Sequence, residues 1–193
     1  MVHIQQLEEY AKINNIPIME HDGIEFLLDY IKNNKVKKIL EIGSAIGYSA
    51  IRMCLIDESI TVTAIERDEK RYKEAVKNIK DFNLKDRINI IFDDAFNVDL
   101  DDEYDLIFID AAKSQYIKFS EKFKVNLSKN GVIVSDNLNF HGLVHTDKPI
   151  ESRNVRGIVR KLNNYIDFLK NNEEFDTIFY EIGDGVSISK RKL

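Results

Sequence analysis

Lys38-Ile39-Leu40-Glu41-Ile42-Gly43-Ser44-Ala45-Ile46-Gly47-Tyr48-Ser49 decides the fold of this chain. The run opens as a β-rich segment, turns through small residues, and passes into a helical pattern that starts at about Ala45. A strand that turns directly into a helix begins an α/β unit, and the turn falls at the sheet edge where open α/β sheets bind ligands. Outward from it, strand patterns recur at 37 to 42, 60 to 65, 88 to 92, 104 to 109 and 131 to 135. Helical patterns alternate with them at 46 to 56, 68 to 82 and 114 to 127. Upstream, helical spacing over 4 to 14 and 24 to 31 makes 1–35 a pair of N-terminal helices covering the ligand edge.

Strands such as Ile107-Phe108-Ile109 and Val132-Ile133-Val134 are apolar on both faces, as expected for a parallel sheet with helices on each side. After a long helix at about 151 to 171, strand patterns at 177 to 182 and 186 to 189 are separated only by Gly183-Asp184-Gly185. So short a connection forces an antiparallel hairpin. The expected fold is therefore a doubly wound, Rossmann-like α/β sheet of seven strands. It is mostly parallel and ends in a C-terminal antiparallel hairpin, which is the pattern of class I methyltransferases. With 193 residues and no internal repeat, one domain over 1–193 is expected to carry it.

Composition excludes several classes. The chain is 44% hydrophobic and 32% charged without a Pro- or Ser-rich stretch, so it is globular rather than disordered. Its apolar runs are strand-sized, well below the roughly 20 residues of a membrane span. The N-terminus lacks the basic and apolar segments of a signal peptide. Cys54 is the only cysteine, so no internal disulfide is possible, and a cytoplasmic location is expected. A net charge of -5 argues against a protein coated in basic surface, while leaving room for a local basic patch.

The turn after the first strand has glycines at 43 and 47 but not the G-x-G-x-x-G that seats a dinucleotide pyrophosphate. It offers backbone N–H groups and the Ser49 hydroxyl to a carboxylate, with Glu41 near for an ammonium. Those are the needs of the amino-acid end of S-adenosylmethionine. Glu66 ends the second strand, where an acid accepts both ribose hydroxyls, and Asp94-Ala95 follows the third, where the adenine amine lies. A nicotinamide cofactor shares the ribose acid, so an oxidoreductase is the competing reading; the missing third glycine counts against it.

Asp110 ends the fourth strand and Asp136-Asn137 the fifth. As neighbouring parallel strands lie about 4.8 Å apart, these three oxygen-bearing side chains converge. Two carboxylates and an amide are hard donors suited to Mg²⁺ or another divalent cation. Lys113, at the start of the next helix, is placed to take the proton of an acceptor hydroxyl. The alternatives are an Asp110 that caps that helix and a Lys113 that is solvated.

The motifs Glu41-Ile-Gly-x-x-x-Gly-Tyr-Ser49, Ile109-Asp-Ala-Ala-Lys113 and Ser135-Asp-Asn137 resemble the cation-dependent O-methyltransferases, the family of catechol and caffeoyl-CoA methyltransferases. The resemblance implies that Asp110, Asp136 and Asn137 bind the metal and that Lys113 is the base. It also implies that Met19 lines the cofactor site with Ser49, Glu66, Asp94 and Ala95, and that the enzyme is a homodimer; Glu41, Gly43 and Asp110 complete the expected cofactor-binding set. Together with Ile16-Pro-Ile-Met19, Ile46-Gly-Tyr-Ser-Ala-Ile-Arg52 and Gly183-Asp-Gly185, the motifs resemble the bacterial branch that methylates 5-hydroxyuridine at the tRNA wobble position. That implies the tRNA anticodon region as partner, with a small catechol-like phenol as the alternative. The chain begins only a few residues before its first helix, so a further N-terminal helix usual in the family is expected to be missing.

A charge pattern bears on the partner. Residues 141 to 161 hold Lys148, Arg153, Arg156, Arg160 and Lys161 against Asp147 and Glu151, five minus two, or +3. On a helix, Val155, Val159, Leu162 and Ile166 form one face and Arg153, Arg156 and Arg160 cluster opposite. These arginines are candidates for anticodon phosphates, with Phe140 or His141 stacking on a base; the alternative is a solvated basic face.

Overall fold

The computed structural model describes residues 3–144, 146 and 149–192. Two helices, α1 (Ile4–Ile13) and α2 (His21–Asn33), precede the sheet. The chain then alternates through β1 (Lys38–Ile42), α3 (Tyr48–Cys54), β2 (Thr61–Glu66), α4 (Glu69–Asp81), β3 (Ile88–Phe92), β4 (Tyr104–Ile109), α5 (Tyr116–Phe123) and β5 (Leu127–Ser135). It closes with α6 (Arg153–Lys170), β6 (Phe175–Tyr180) and β7 (Val186–Arg191). The seven strands form one sheet in the order β3-β2-β1-β4-β5-β7-β6. All pairs from β3 to β5 are parallel; β7 runs antiparallel between β5 and β6. This is the class I methyltransferase architecture read from the sequence.

Each face of the sheet is covered by its own apolar cluster. Ile39, Leu106, Phe108, Val132 and Val134 face α1, α2 and α3, while Leu40, Ile107, Ile109 and Ile133 face α5 and α6. Alternate residues of β1 and β4 thus go to opposite sides, and both sides are apolar. The strand order reverses between β1 and β4, so their C-terminal ends form the crevice where ligands of such sheets bind.

Boundaries move where backbone conformation overrides periodicity. Helix α3 begins at Tyr48 rather than near Ala45, because Ala45 (φ 46°) and Gly47 (φ 79°) are both left-handed and cannot start a right-handed helix. The pattern over 114 to 127 is α5 flanked by two short 3-10 turns, Lys113–Gln115 and Lys124–Asn126. Strand β5 extends back to Leu127 across an irregularity opposite Tyr104 and Leu106. Helix α6 starts after Ser152, whose side chain caps the Val155 amide. Among the described residues no helix is long and apolar enough to cross a membrane.

Candidate active site

The glycine turn is locked between two neighbouring strand ends. A Cβ on Gly43 (φ +93°) would lie 2.3 Å from the Asp110 carbonyl oxygen, so only glycine lets the turn approach the end of β4. On the other side, Gly43 N and Ser44 N donate to Ile65 O at 3.0 and 3.2 Å. Ala45 N donates to Glu66 Oε2 at 2.8 Å, and Gly47 N to Ser44 O at 2.8 Å. Four amides expected to be open to a ligand carboxylate therefore already have internal acceptors, because the turn closes on itself and on β2.

Beside the turn lies a cavity of about 290 Å³, near the lower end of the roughly 300–1,000 Å³ usual for ligand sites. Gly43, Glu66, Asp94, Ala95, Asp110 and Asn137 line it, as the strand-end reading expected, and Lys113 borders it. Glu66 is buried, with Oε1 accepting from Asp68 N and Oε2 from Ala45 N, both at 2.8 Å. Each oxygen keeps a second lone pair for a ribose hydroxyl. The Phe96 amide bonded to Asp94, together with Arg67, holds the Asp94 carboxyl below its ordinary range, leaving it ionised as an acceptor.

Three expected cofactor residues do not line this cavity. Met19 is buried in the core against Gly23, while its neighbours Pro17 and Ile18 reach the cavity instead. Glu41 and Ser49 are buried together at the end of β1 and the start of α3, with the Ser49 hydroxyl donating to Glu41 Oε1. Glu41 Oε2 is buried with no hydrogen-bond partner among the described residues, and burial pushes its carboxyl up to about 7. An orphaned acid beside the glycine turn fits the ammonium of a bound amino acid. Arg67, Arg71, Asp93 and Phe119 also line the cavity and carry no motif of their own; for Arg67 and Asp93, adjacency to Glu66 and Asp94 is the one available signal.

At the other end Asp110, Asp136 and Asn137 meet. Asn137 Nδ2 lies 3.0 Å from Asp110 Oδ1 and 2.9 Å from Asp136 Oδ2. Burial pushes the Asp110 carboxyl up to about 6, against the opposing charge of Lys113. Asp136 is raised as well, first by burial and then by the Asp110 charge. Two acids forced together out of water are the arrangement a divalent cation relieves. Rotating the Asn137 amide by 180° replaces Nδ2 with Oδ1 and makes the trio three oxygen donors. The residues therefore fit the cation, although among the described residues no three His, Cys, Asp or Glu side chains gather as a metal cage. Asn137 holds a left-handed φ of 62°, which asparagine tolerates better than most residues.

Lys113 starts the 3-10 turn after Asp110, with Nζ 5.7 Å from the Phe140 ring centroid. Arg153, Arg156 and Arg160 are exposed on α6, which packs against that 3-10 turn. Arg156 is not simply solvated: its Nη1 donates to Ile150 O at 2.6 Å and Glu151 O at 2.8 Å, bracing the approach to α6. His141 is exposed and Phe140 half-buried; Asp147 and Lys148 of the charge count lie outside the described residues.

The sheet order, the glycine turn and the acids at successive strand ends define a class I methyltransferase. A family model described as O-methyltransferase matches residues 2–192, so the chain belongs to the O-methyltransferase family and is an S-adenosylmethionine-dependent enzyme of the caffeoyl-CoA type. The nicotinamide reading is thereby overturned. The chain is 28% identical to the caffeoyl-CoA O-methyltransferase of Populus kitakamiensis, covering 95% of this chain and 82% of that protein. It is 29% identical to the flavonoid 3',5'-methyltransferase of Vitis vinifera over 95% of this chain and 81% of that one. A Staphylococcus aureus structure provisionally named a caffeoyl-CoA O-methyltransferase superposes with a TM-score of 0.93 at 37% identity, covering 100% of this chain and 93% of the other. The Podospora anserina methyltransferase PaMTH1, solved with S-adenosylhomocysteine bound, gives a TM-score of 0.80 at 28% identity, with 88% and 78% covered.

Proposed function

We propose that this enzyme methylates one oxygen of a vicinal pair, that of 5-hydroxyuridine at the tRNA wobble position, to give 5-methoxyuridine. The observation that carries the oxygen chemistry is the Asp110–Asn137–Asp136 trio, Asp136 buried and the other two half-buried, with Lys113 beside it. Asp110, Asp136 and Asn137 would hold Mg²⁺ or a similar ion. When bound, such an ion draws electron density from two adjacent acceptor oxygens and makes the hydroxyl more acidic. Glu66, Asp94 and the glycine turn bind and orient S-adenosylmethionine. Lys113 Nζ takes the proton of the hydroxyl. The acceptor oxygen then forms a bond to the methyl carbon as the sulfur–carbon bond breaks, and that electron pair returns to sulfur. The sulfonium charge disappears in the step.

The tRNA acceptor is supported by the exposed Arg153 and Arg160 on the helix that packs against the Lys113 turn. The same reading includes a cytoplasmic homodimer. The second reading, a small catechol-like phenol, is favoured by the names of the Populus and Vitis relatives, which act on phenolic compounds. Mass spectrometry of tRNA nucleosides from cells lacking the protein separates the two. Accumulated 5-hydroxyuridine with loss of 5-methoxyuridine supports the tRNA reading; an unchanged profile overturns it.

A further inference from the structure

Between β6 and β7 the turn Gly183-Asp184-Gly185 does not line the cofactor cavity, yet three bonds tie it to the segment after Asn137. Leu138 N donates to Gly185 O at 3.0 Å, Asn139 N donates to Asp184 O at 2.7 Å, and His141 N donates to Asp184 Oδ1. Close packing fixes the turn on both sides. A Cβ on Gly185 (φ +85°) would lie 2.9 Å from Asn139 N, and one on Gly183 (φ +55°) would lie 3.1 Å from Gly23 N in α2.

Asp184 is itself buried, at 4% exposure, and its Oδ2 has no hydrogen-bond partner among the described residues. His141 Nδ1 stands 3.8 Å from that oxygen and 3.8 Å from Glu20 Oε1. A carboxylate taken out of water for one backbone amide is an expensive device for holding a loop. The loop it holds is also disfavoured on its own, since Phe140 (φ 47°) and His141 (φ 55°) are consecutive left-handed residues with side chains. What this arrangement achieves is a placement: the Phe140 ring lies by Lys113 Nζ, at the end of the cavity where Asn137 and Asp110 sit.

We propose that Asp184 is a positioning residue for the acceptor. By accepting from the His141 amide it holds the strained Phe140-His141 turn, so that Phe140 walls the acceptor side of Lys113. Glu20, His141 and the buried carboxylate then form the outer edge of that wall. The inference rests on the reading that the acceptor meets Lys113 beside the acid trio.

The test uses the full chain with catechol as acceptor and Mg²⁺ present. Asp184→Ala should raise the catechol KM at least tenfold while the S-adenosylhomocysteine Kd, by calorimetry, stays within twofold. Asp184→Asn keeps Oδ1 and should return KM to within threefold of the wild type. Hydrogen exchange of the His141 amide should be at least tenfold faster in Asp184→Ala, with sheet amides unchanged. Phe140→Ala leaves the buried acid in place and should raise the same KM, which keeps the test decisive if Asp184→Ala does not fold. Wild-type KM in Asp184→Ala or in Phe140→Ala, or equal weakening of cofactor and acceptor, overturns the inference. If the wild type leaves catechol unmethylated, the small-phenol reading fails separately and the same KM ratios are read with hydroxyuridine tRNA, while His141 exchange at the wild-type rate in Asp184→Ala overturns the holding role.

Discussion

The Tyr165 hydroxyl on α6 meets Ser135 Oγ at 2.7 Å, one residue before Asp136. It also meets Ser120 Oγ at 3.0 Å, and its ring stands edge-on to Tyr116 at 5.3 Å. Tyr116 in turn donates to the Asp136 carbonyl at 3.1 Å. The helix that carries the arginines is thus bonded through buried hydroxyls to the strand end that carries an acid. Tyr165→Phe leaves two buried serine hydroxyls short of a partner and should destabilise the fold by about 1–3 kcal/mol in urea unfolding. Cofactor affinity should be unchanged, because Tyr165 is not in the cavity. A loss under about 0.5 kcal/mol would show that the hydroxyls contribute little.

The acid pair makes stability depend on pH and on metal in a defined direction. Burial raises the Asp110 carboxyl to about 6 and raises Asp136 as well, so between the unfolded value and pH 6 the metal-free folded state binds more protons than the unfolded chain. Metal-free stability should therefore fall as pH rises through this window. Mg²⁺ needs the ionised pair and should stabilise the fold at pH 8 much more than at pH 5, by about 2.7 kcal/mol at 100 times its Kd, read as a rise in Tm. Chelator should reduce turnover at least about 100-fold, and Mg²⁺ should restore it. In Asp136→Ala the thermal shift should vanish while S-adenosylhomocysteine still binds. A Tm indifferent to Mg²⁺ at pH 8 would remove the metal from the mechanism.

Much of this site was legible in the sequence because strand ends are legible: Glu66, Asp94, Asp110, Asp136 and Asn137 each follow an apolar run, and parallel pairing puts those ends on one edge. What sequence could not carry was the depth of each residue along that edge. Glu41 and Ser49 lie in the right elements yet are buried beside the glycine turn, outside the cavity lining, and Met19 packs into the core while Pro17 and Ile18 reach the cavity. The helix start moved for a similar reason, since two left-handed residues in the turn leave no trace in hydrophobic spacing. Arg156 read as a free cation, and only the folded geometry shows it bonded to the carbonyls before α6.

Glu41 should couple cofactor binding to proton release. Burial, opposed by the Ser49 hydroxyl, pushes its carboxyl up to about 7, so below that pH it is neutral in the free enzyme. An ammonium of the cofactor pairs only with the ionised form. S-adenosylhomocysteine affinity should therefore fall about tenfold from pH 8 to pH 6, and calorimetry in two buffers of different ionisation enthalpy should show a proton released near pH 6. Glu41→Gln should bind more weakly and with a flat profile. If the wild-type profile is already flat across this range, Glu41 does not meet the ammonium.

Charge reversal on α6 decides between the two acceptors, and the choice of residues matters. Arg153 and Arg160 have no hydrogen bond or ion pair among the described residues, whereas replacing Arg156 would also release the Ile150 and Glu151 carbonyls. Arg153→Glu with Arg160→Glu is therefore the clean probe. If both arginines meet phosphates, the double variant should raise the KM for hydroxyuridine tRNA at least about tenfold and lower the slope of log affinity against log salt by about 2, one per lost contact. Methylation of free catechol should stay within about twofold, since a small phenol makes no phosphate contact. Unchanged tRNA kinetics together with an unchanged salt slope would leave the α6 arginines as a solvated face and shift the weight to the phenolic acceptor.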